Sequence, residues 1–508
     1  DNATAVAEIC AQLDGLPLAL ELAAARIRLL PPQAMLGRLQ ESPLQLLTGG
    51  ARDAPARQQT LRGTVQWSYD MLNAGEQRMF RWLSLFAGGC TLDAAIKVTS
   101  SQSAVSSDGE QETDHWSPVT LDLVTSLVNK SLVRQAEAGG EPRLGMLETV
   151  REFGLEQLDQ TNELEAAQRA HADYYLSLAE ETEPHLAGRE QKAWLNRLGR
   201  EQDNFRAVLR WGFENQEAEF ILQLVGALWQ YWNMRGQWSE GRRWLEEALA
   251  LTSNTDVDKA LRARVLYAAA TLIRYQSDFA RARALCEQSV SLYRALGDME
   301  GLLTALLQLF RILDYQGDDE PVRALVPEML ALAGELPDVP IKAQVYAYSA
   351  LMAPIGISSA NVARYLAESE RIYRALDSPA GLALTLFGQA SLATTEGDEV
   401  RAQALRDEAE RLAAEVEDRH LRIAILPGRI LSTWKSGDDA SAHRYLEQIL
   451  AAIGEVDAST GQRHLFLGPR NSFLGILAAV LHRQGLSVWA ARVYGLADKL
   501  ATTTSEPP

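Results

Sequence analysis

A short turn signal recurs along the second half of this 508-residue chain, and its period limits the fold more than any other feature. A small residue followed by a polar one stands at Gly236-Gln237, Ser277-Asp278, Gly317-Asp318, Gly397-Asp398 and Gly437-Asp438. Successive signals lie 40 or 41 residues apart, and the one interval of 80 residues has its midpoint at Ile357-Ser358. A fixed period of this length marks a stacked solenoid, because one supersecondary unit cannot bury its apolar face alone and must lean on the next. Two segments 80 residues apart align without a gap, YRALGDMEGLLTALLQLFRILDYQGD from 293 and YRALDSPAGLALTLFGQASLATTEGD from 373.

With Gly236, Ser277, Gly317, Ile357, Gly397, Gly437 and Gly485 as equivalent turns, residues 219–500 hold about seven helix hairpins. Small residues dominate three offsets from those turns, as at Gly241, Ala282 and Ala402, at Ala248, Ser289 and Ser369, and at Ala270, Ala350 and Ala390. Paired helices approach closely where side chains are small. Val322, Met329, Phe310 and Arg406 depart from the rule, so regular geometry is not expected in every unit. The pattern resembles the tetratricopeptide repeat, with a longer period than the roughly 34 residues of that family. A stacked array presents a long concave surface lined by the first helix of each pair. Projecting the pattern puts Tyr267, Arg274, Tyr275, Arg311, Tyr315 and Trp434 towards it. Aromatics with arginines suit a protein, peptide, sugar or anionic small-molecule ligand, through stacking and charge-assisted hydrogen bonds.

Composition narrows the function classes. The formal net charge of −18 opposes broad nucleic-acid binding, which needs clustered Lys and Arg. No run of 18 uncharged apolar residues occurs, so no membrane span is expected. Cys10, Cys90 and Cys286 are far apart and odd in number, the usage of a reduced, cytoplasmic protein. The seven histidines fall in no zinc spacing, and neither HExxH nor G-x-S-x-G occurs. The opening DNATAVAEICAQ has no initiating Met and no leader-like pattern, which is expected of a cut within a longer chain.

Residues 1–50 form a small helical subdomain. A helix over Ala3 to Leu13 would bury Val6, Ile9, Cys10 and Leu13, and Asp14-Gly15 would end it. Pro17 then suits the first turn of an apolar helix, Leu18 to Leu30, that Pro31-Pro32 terminates. The stretch DGLPLALELAAARIRLL resembles the GLPL segment of the NB-ARC module in STAND signal-transduction ATPases. The resemblance implies that Pro17 packs near the adenine of ATP or ADP in the parent protein. It also implies an ATPase core and an effector domain N-terminal to Asp1. A phosphate loop needs Gly-rich backbone followed by Lys and Ser or Thr. The Lys-Ser pairs Lys130-Ser131 and Lys435-Ser436 follow no such frame, so this chain alone is not expected to be an enzyme.

Residues 51–160 read as a winged-helix-like domain with a Ser-rich insertion near 100–117, expected to be disordered. Leu61, Val65, Tyr69 and Leu72 share one helical face, and Asn73 can cap the next helix. Thr91 can cap the short helix LDAAIKV. A two-stranded wing is expected over 131–135 and 143–147. The order LRGTVQWSYDMLNAGEQRMFRWLSLFAGG, LVNKSLVRQ, RLGMLETVREFGLEQL resembles the winged-helix part of STAND regulators. Many members carry Met-His-Asp near its end, with the His on nucleotide phosphate; here the triplet is Met146-Leu147-Glu148, and Arg151 is the substitute at hand. The third helix, TLDLVTSLVN, is apolar and poor in bases, unlike one that reads DNA.

Residues 161–218 form a helical bridge and 501–508 a disordered tail. The fold expected is mostly α: a helical subdomain, a winged helix and a tetratricopeptide-like α-solenoid. The function expected is that of a regulatory and sensor portion of a STAND-type ATPase or transcriptional regulator. A signal on the array would control a nucleotide-driven, possible oligomer-forming switch. The alternative is a freestanding scaffold for protein assembly. Neither nucleic acid nor membrane is an expected direct partner.

Overall fold

The computed structural model describes residues 2–13, 19–20, 23–24, 30–41, 61–100, 118–138, 140–187, 190–276, 278–316, 318–352 and 357–415, with isolated positions between 433 and 448. Pro17, Trp434, the helix expected over 18–30, the insertion at 101–117, the last two hairpins and the tail lie outside the described residues. The chain divides into two units, Asp1–Leu178 with Gly199–Trp211, and Ala179–Leu198 with Gly212–Pro508.

In the first unit α1 (Asn2–Gln12) packs on α2 (Pro32–Glu41). The buried row of α1 is Ala5, Ile9 and Leu13, one residue per turn, with Met35 and Leu39 buried on α2. Val6, expected in the core, is 41% exposed, and Cys10 is exposed as well. The burial stripe is rotated by one position because Ala5 is small enough to let a neighbouring helix approach. A pattern weighted towards large side chains passes over it.

The winged helix follows, with α3 (Leu61–Asp70), α4 (Ala74–Leu83), β1 (Cys90–Thr91), α5 (Leu92–Ser100), α6 (Pro118–Asn129), β2 (Arg134–Ala138), β3 (Glu141–Gly145) and α7 (Glu148–Gln160). Asn73 starts α4 with a capping box: its Oδ1 accepts the Glu76 N–H at 2.9 Å and Glu76 Oε2 accepts the Asn73 N–H at 2.9 Å. Glu76 also accepts from Ser126 Oγ at 2.5 Å and Lys130 Nζ at 2.6 Å, which ties α4 to α6. The Lys130 and Ser126 hydrogen bonds, with the Asn73 N–H, push its carboxyl down to about 2. Thr91 caps α5 through the Ala94 N–H at 3.1 Å.

The sheet has three antiparallel strands in the order β1-β3-β2, one more than the hairpin expected. Leu144 faces Cys90 on one side and Gln135 on the other. β2 begins later than anticipated because Ser131 takes a φ of 59° and belongs to the turn. β1 is only two residues long, too short to show alternation in a sequence. Gly89 precedes it at φ 80°, and a side chain there would strike the Leu144 carbonyl.

A buried network then joins the wing to α8 (Leu164–Thr182) and α10 (Gln202–Glu214), which is preceded by α9 (Gln191–Arg200). Glu201 ion-pairs with Arg143 and accepts from Tyr175 at 2.7 Å and Asn204 at 2.8 Å. The Gly89 carbonyl accepts from Arg143 and Asn204, each at 2.9 Å. Beside it His171, 4% exposed, packs edge-on against Phe86 with centroids 4.9 Å apart.

The second unit contains five hairpins among the described residues. They are α11 (Ala218–Met234) with α12 (Trp238–Leu251), α13 (Lys259–Tyr275) with α14 (Phe279–Leu296), α15 (Met299–Gln316) with α16 (Asp319–Glu335), α17 (Pro340–Met352) with α18 (Ser359–Ala375), and α19 (Pro379–Glu396) with α20 (Glu399–Glu415). Each first helix also touches the next first helix, so α11, α13, α15, α17 and α19 form a row.

The turn signal now has a mechanism. Gly236, Gly397 and Gly437 take φ of 69°, 83° and 81°, the left-handed cap that ends a first helix without a Cβ clash. The next residue caps the second helix: Asp398 Oδ1 accepts the Arg401 N–H at 3.0 Å and Asp438 Oδ1 the Ser441 N–H at 3.0 Å. At the missing midpoint Ser358 does the same for Asn361, at 3.4 Å.

The 80-residue match is equally physical. Ser289 Oγ donates to the Ala263 carbonyl and Ser369 Oγ to the Ala343 carbonyl, both at 2.8 Å. Tyr293 lies against Gly301, and Tyr373 lies against Gly381 in the same way. Val322 and Met329, which break the small-residue rule, are buried on α16, the helix that carries an internal proline, Pro327.

Two outcomes follow. Gly301→Val should destabilise the chain by about 1–3 kcal/mol in denaturant unfolding, through overpacking against Tyr293; an unchanged midpoint would contradict the contact. For His171, burial holds the imidazole down to about 3, with the Asn204 side chain opposing. The unfolded chain therefore takes the proton first, and the stability due to this residue is complete above pH about 6.5 and lost as pH falls towards 3. Between pH 7 and pH 5 that loss should be about 2 kcal/mol. It should disappear in His171→Phe; an equal loss in the variant would refute the assignment.

Candidate functional site

The row of first helices gathers several of the residues that the repeat pattern projected to one face. Tyr267 on α13 is half-buried and meets Trp229 edge-on, with centroids 5.4 Å apart. Burial raises its hydroxyl pKa, while Arg311 and Thr271 oppose the shift. Tyr275, at the end of α13, stacks on Trp238 at 5.1 Å and 4°. Arg274 places its guanidinium 4.2 Å from the Tyr275 ring centre and is only 4% exposed, a buried residue and not a surface one.

Arg311 on α15 is the hub. Its Cζ lies 4.7 Å from the ring centre of Tyr348 on α17. Burial works against its charge, and the facing tyrosines Tyr348, Tyr267 and Tyr275 offset that, leaving its pKa raised. Neutral phenols cannot supply a counter-charge near pH 7. Among the described residues Arg311 takes part in no ion pair, and its Nε is shielded from solvent without a hydrogen-bond partner.

One turn earlier on α15 stands Gln308, 1% exposed, with neither Oε1 nor Nε2 hydrogen-bonded. A buried amide with no partner is rare, because each unmade hydrogen bond retains its full desolvation cost. Gln308 and Tyr348 were not among the sequence-derived candidates. Both stand nine residues before their turns, where the other described repeats have Ala227, Ala268 and Gly388. A polar or bulky residue at a small-residue position was the available signal.

The structure thus brings Tyr267, Tyr275 and Arg311 together and adds Tyr348 and Gln308. The side chain of Tyr315 and the residues Pro17 and Trp434 lie outside what is described. Arg151, the candidate beside the missing histidine, pairs with Glu148 at 2.7 Å and donates to the Ser84 carbonyl at 3.2 Å. Among the described residues no group of His, Cys, Asp and Glu could hold a metal ion. No described helix is long and apolar enough to cross a membrane.

The unsatisfied amide has a consequence for stability. Replacing a buried, unpartnered polar group by an apolar one of similar shape removes a desolvation cost, so Gln308→Met should stabilise the ligand-free chain by about 1–3 kcal/mol. Denaturant unfolding measures this. A loss of stability would mean that Gln308 is hydrogen-bonded in solution.

No protein-family model matches the chain. It is 36% identical over 311 residues to proteins provisionally designated HTH-type transcriptional regulators in Mycobacterium tuberculosis and Mycobacterium bovis, a match covering 60% of this chain and 34% of theirs. The chain therefore spans about a third of the length of these curated relatives. An uncharacterised Mycobacterium tuberculosis protein is 37% identical over 166 residues, 33% of this chain and 39% of its own. Among solved structures, the chain is similar to a STAND protein with a tetratricopeptide repeat sensor from Pyrococcus horikoshii, at TM-score 0.45 and 14% identity over 94% of this chain and 71% of that one. It is also similar to a Rap protein complexed with competence and sporulation factor, at TM-score 0.46 and 12% identity over 66% of this chain and 98% of that one.

Proposed function

We propose that the chain is the regulatory and sensor portion of a STAND-type signalling ATPase or transcriptional regulator. The observation that carries this reading is the Arg311 hub: a recessed, cationic, aromatic-lined place on a repeat array, with polar groups left unsatisfied in the absence of a ligand. A protein selected for stability alone would fill it with apolar residues. The 36% identity to designated transcriptional regulators supports a regulatory role over a purely structural one.

In this reading a protein, peptide or small molecule on the array biases a nucleotide-driven switch. The ATPase core and effector domain lie outside this chain, and ATP or ADP is their ligand. For such coupling the signal must bind the two states of the switch with different affinity. The winged helix serves as a packing module and not as a reader of DNA. Its third helix, α6, exposes Leu121, Asp122, Thr125 and Asn129, and the adjoining Lys130 is bound to Glu76. A reading helix would present polar base contacts flanked by free basic side chains.

The full-length protein that contains this chain should bind ATP and change its size in light scattering when it does. The chain alone should show no ATP turnover. Turnover by the isolated chain, or a full-length protein that neither binds ATP nor changes size, would contradict the proposal.

A further inference from the structure

The chemistry left open on α15 selects among possible ligands. Gln308 offers one acceptor and two donors, and none is used. Arg311 offers a guanidinium with no carboxylate partner among the described residues. The two are three residues apart on one helix, so their Cβ atoms are about 5–6 Å apart on a shared face. A ligand that answers both must carry an anionic group and, within one residue's reach, both an N–H and a carbonyl.

A sugar hydroxyl could satisfy Gln308 in both directions, yet it would leave Arg311 without a counter-charge. A phosphate could meet Arg311, but it has no N–H for Gln308 Oε1 and would bring its oxygens against that acceptor. A peptide unit beside a carboxylate does both. Its N–H can donate to Oε1 and its C=O can accept from Nε2, while the carboxylate takes the guanidinium in the planar two-bond arrangement. One residue spans about 3.3–3.6 Å of extended chain, which fits the separation of the two side chains. Tyr267, Tyr275 and Tyr348 supply faces and hydroxyls for the flanking side chains.

We infer that the Arg311–Gln308 face binds a peptide bearing a carboxylate, with the carboxylate on Arg311 and the adjoining peptide unit on Gln308. This rests on the sensor reading and narrows it from three ligand classes to one. The carboxylate can be a chain terminus or an acidic side chain, and both give the same pairing.

The test immobilises the full chain and exposes it to three pools of random hexapeptides: one with free C-termini, one amidated, and one amidated and lacking Asp and Glu. Captured peptides are identified by mass spectrometry. The inference expects capture from the first pool and none from the third. Capture from the amidated pool assigns the carboxylate to a side chain, and its loss there assigns it to the terminus. Arg311→Met and Gln308→Met should each weaken binding of the best captured peptide at least tenfold. The unfolding midpoint of Gln308→Met stays unchanged or rises, so lost folding cannot account for the effect. Equal capture from the pool without carboxylates, undiminished binding by both variants, or no capture from any pool overturns the inference. The sensor reading is decided separately, by the nucleotide and size measurements on the full-length protein.

Discussion

A pair of helices joined by a tight turn cannot bury its own apolar face, and the array depends on stacking such pairs at close range. Close approach has two requirements in this chain. The backbone must reverse sharply, which the left-handed glycines at 236, 397 and 437 allow, and the second helix must start cleanly, which Asp398, Asp438 and Ser358 secure by capping it. Small residues must also stand where helices meet. Ala263 and Ala343 serve there, each lending its carbonyl to a serine of the next helix. Given these, the hydrophobic burial of Leu and Ile across successive pairs supplies the stability.

Regularity of this kind makes its exceptions informative. The position nine residues before the turn is Ala227, Ala268 and Gly388 in three units, and Gln308 and Tyr348 in the two between them. These two adjacent units also contribute Arg311 and its tyrosine partner. A buried amide and a guanidinium without a carboxylate are costs that packing does not return. Their concentration at one place on the row of first helices is what separates a binding surface from an ordinary solenoid face.

How much of this was legible in the sequence depended on the range of the interaction. The repeat, the Asn73 and Thr91 caps and the wing are local, and the residue types announce them. The exposed Val6 was misplaced because helical periodicity alone does not say which of two adjacent stripes a neighbour covers, and Ala5 carried little weight. The strand Cys90–Thr91 exists only because Leu144 comes to lie beside it, a pairing across more than fifty residues that no local pattern encodes. Arg274 has helical phase in common with Tyr267, yet it is buried and Tyr267 only half-buried. Gln308 was missed for the opposite reason: it stands within the helix where the pattern predicts packing, and only its lack of partners marks it.

The central claim is that the array and the nucleotide switch are thermodynamically linked. The most direct test is the affinity of the full-length protein for the peptide its array captures, measured once with ADP bound and once with a non-hydrolysable ATP analogue. The account predicts tighter binding in the ATP-like state by at least about fivefold, the lower end of ordinary allosteric coupling. Equal affinity in the two states would contradict it, because a ligand that binds both states alike shifts neither.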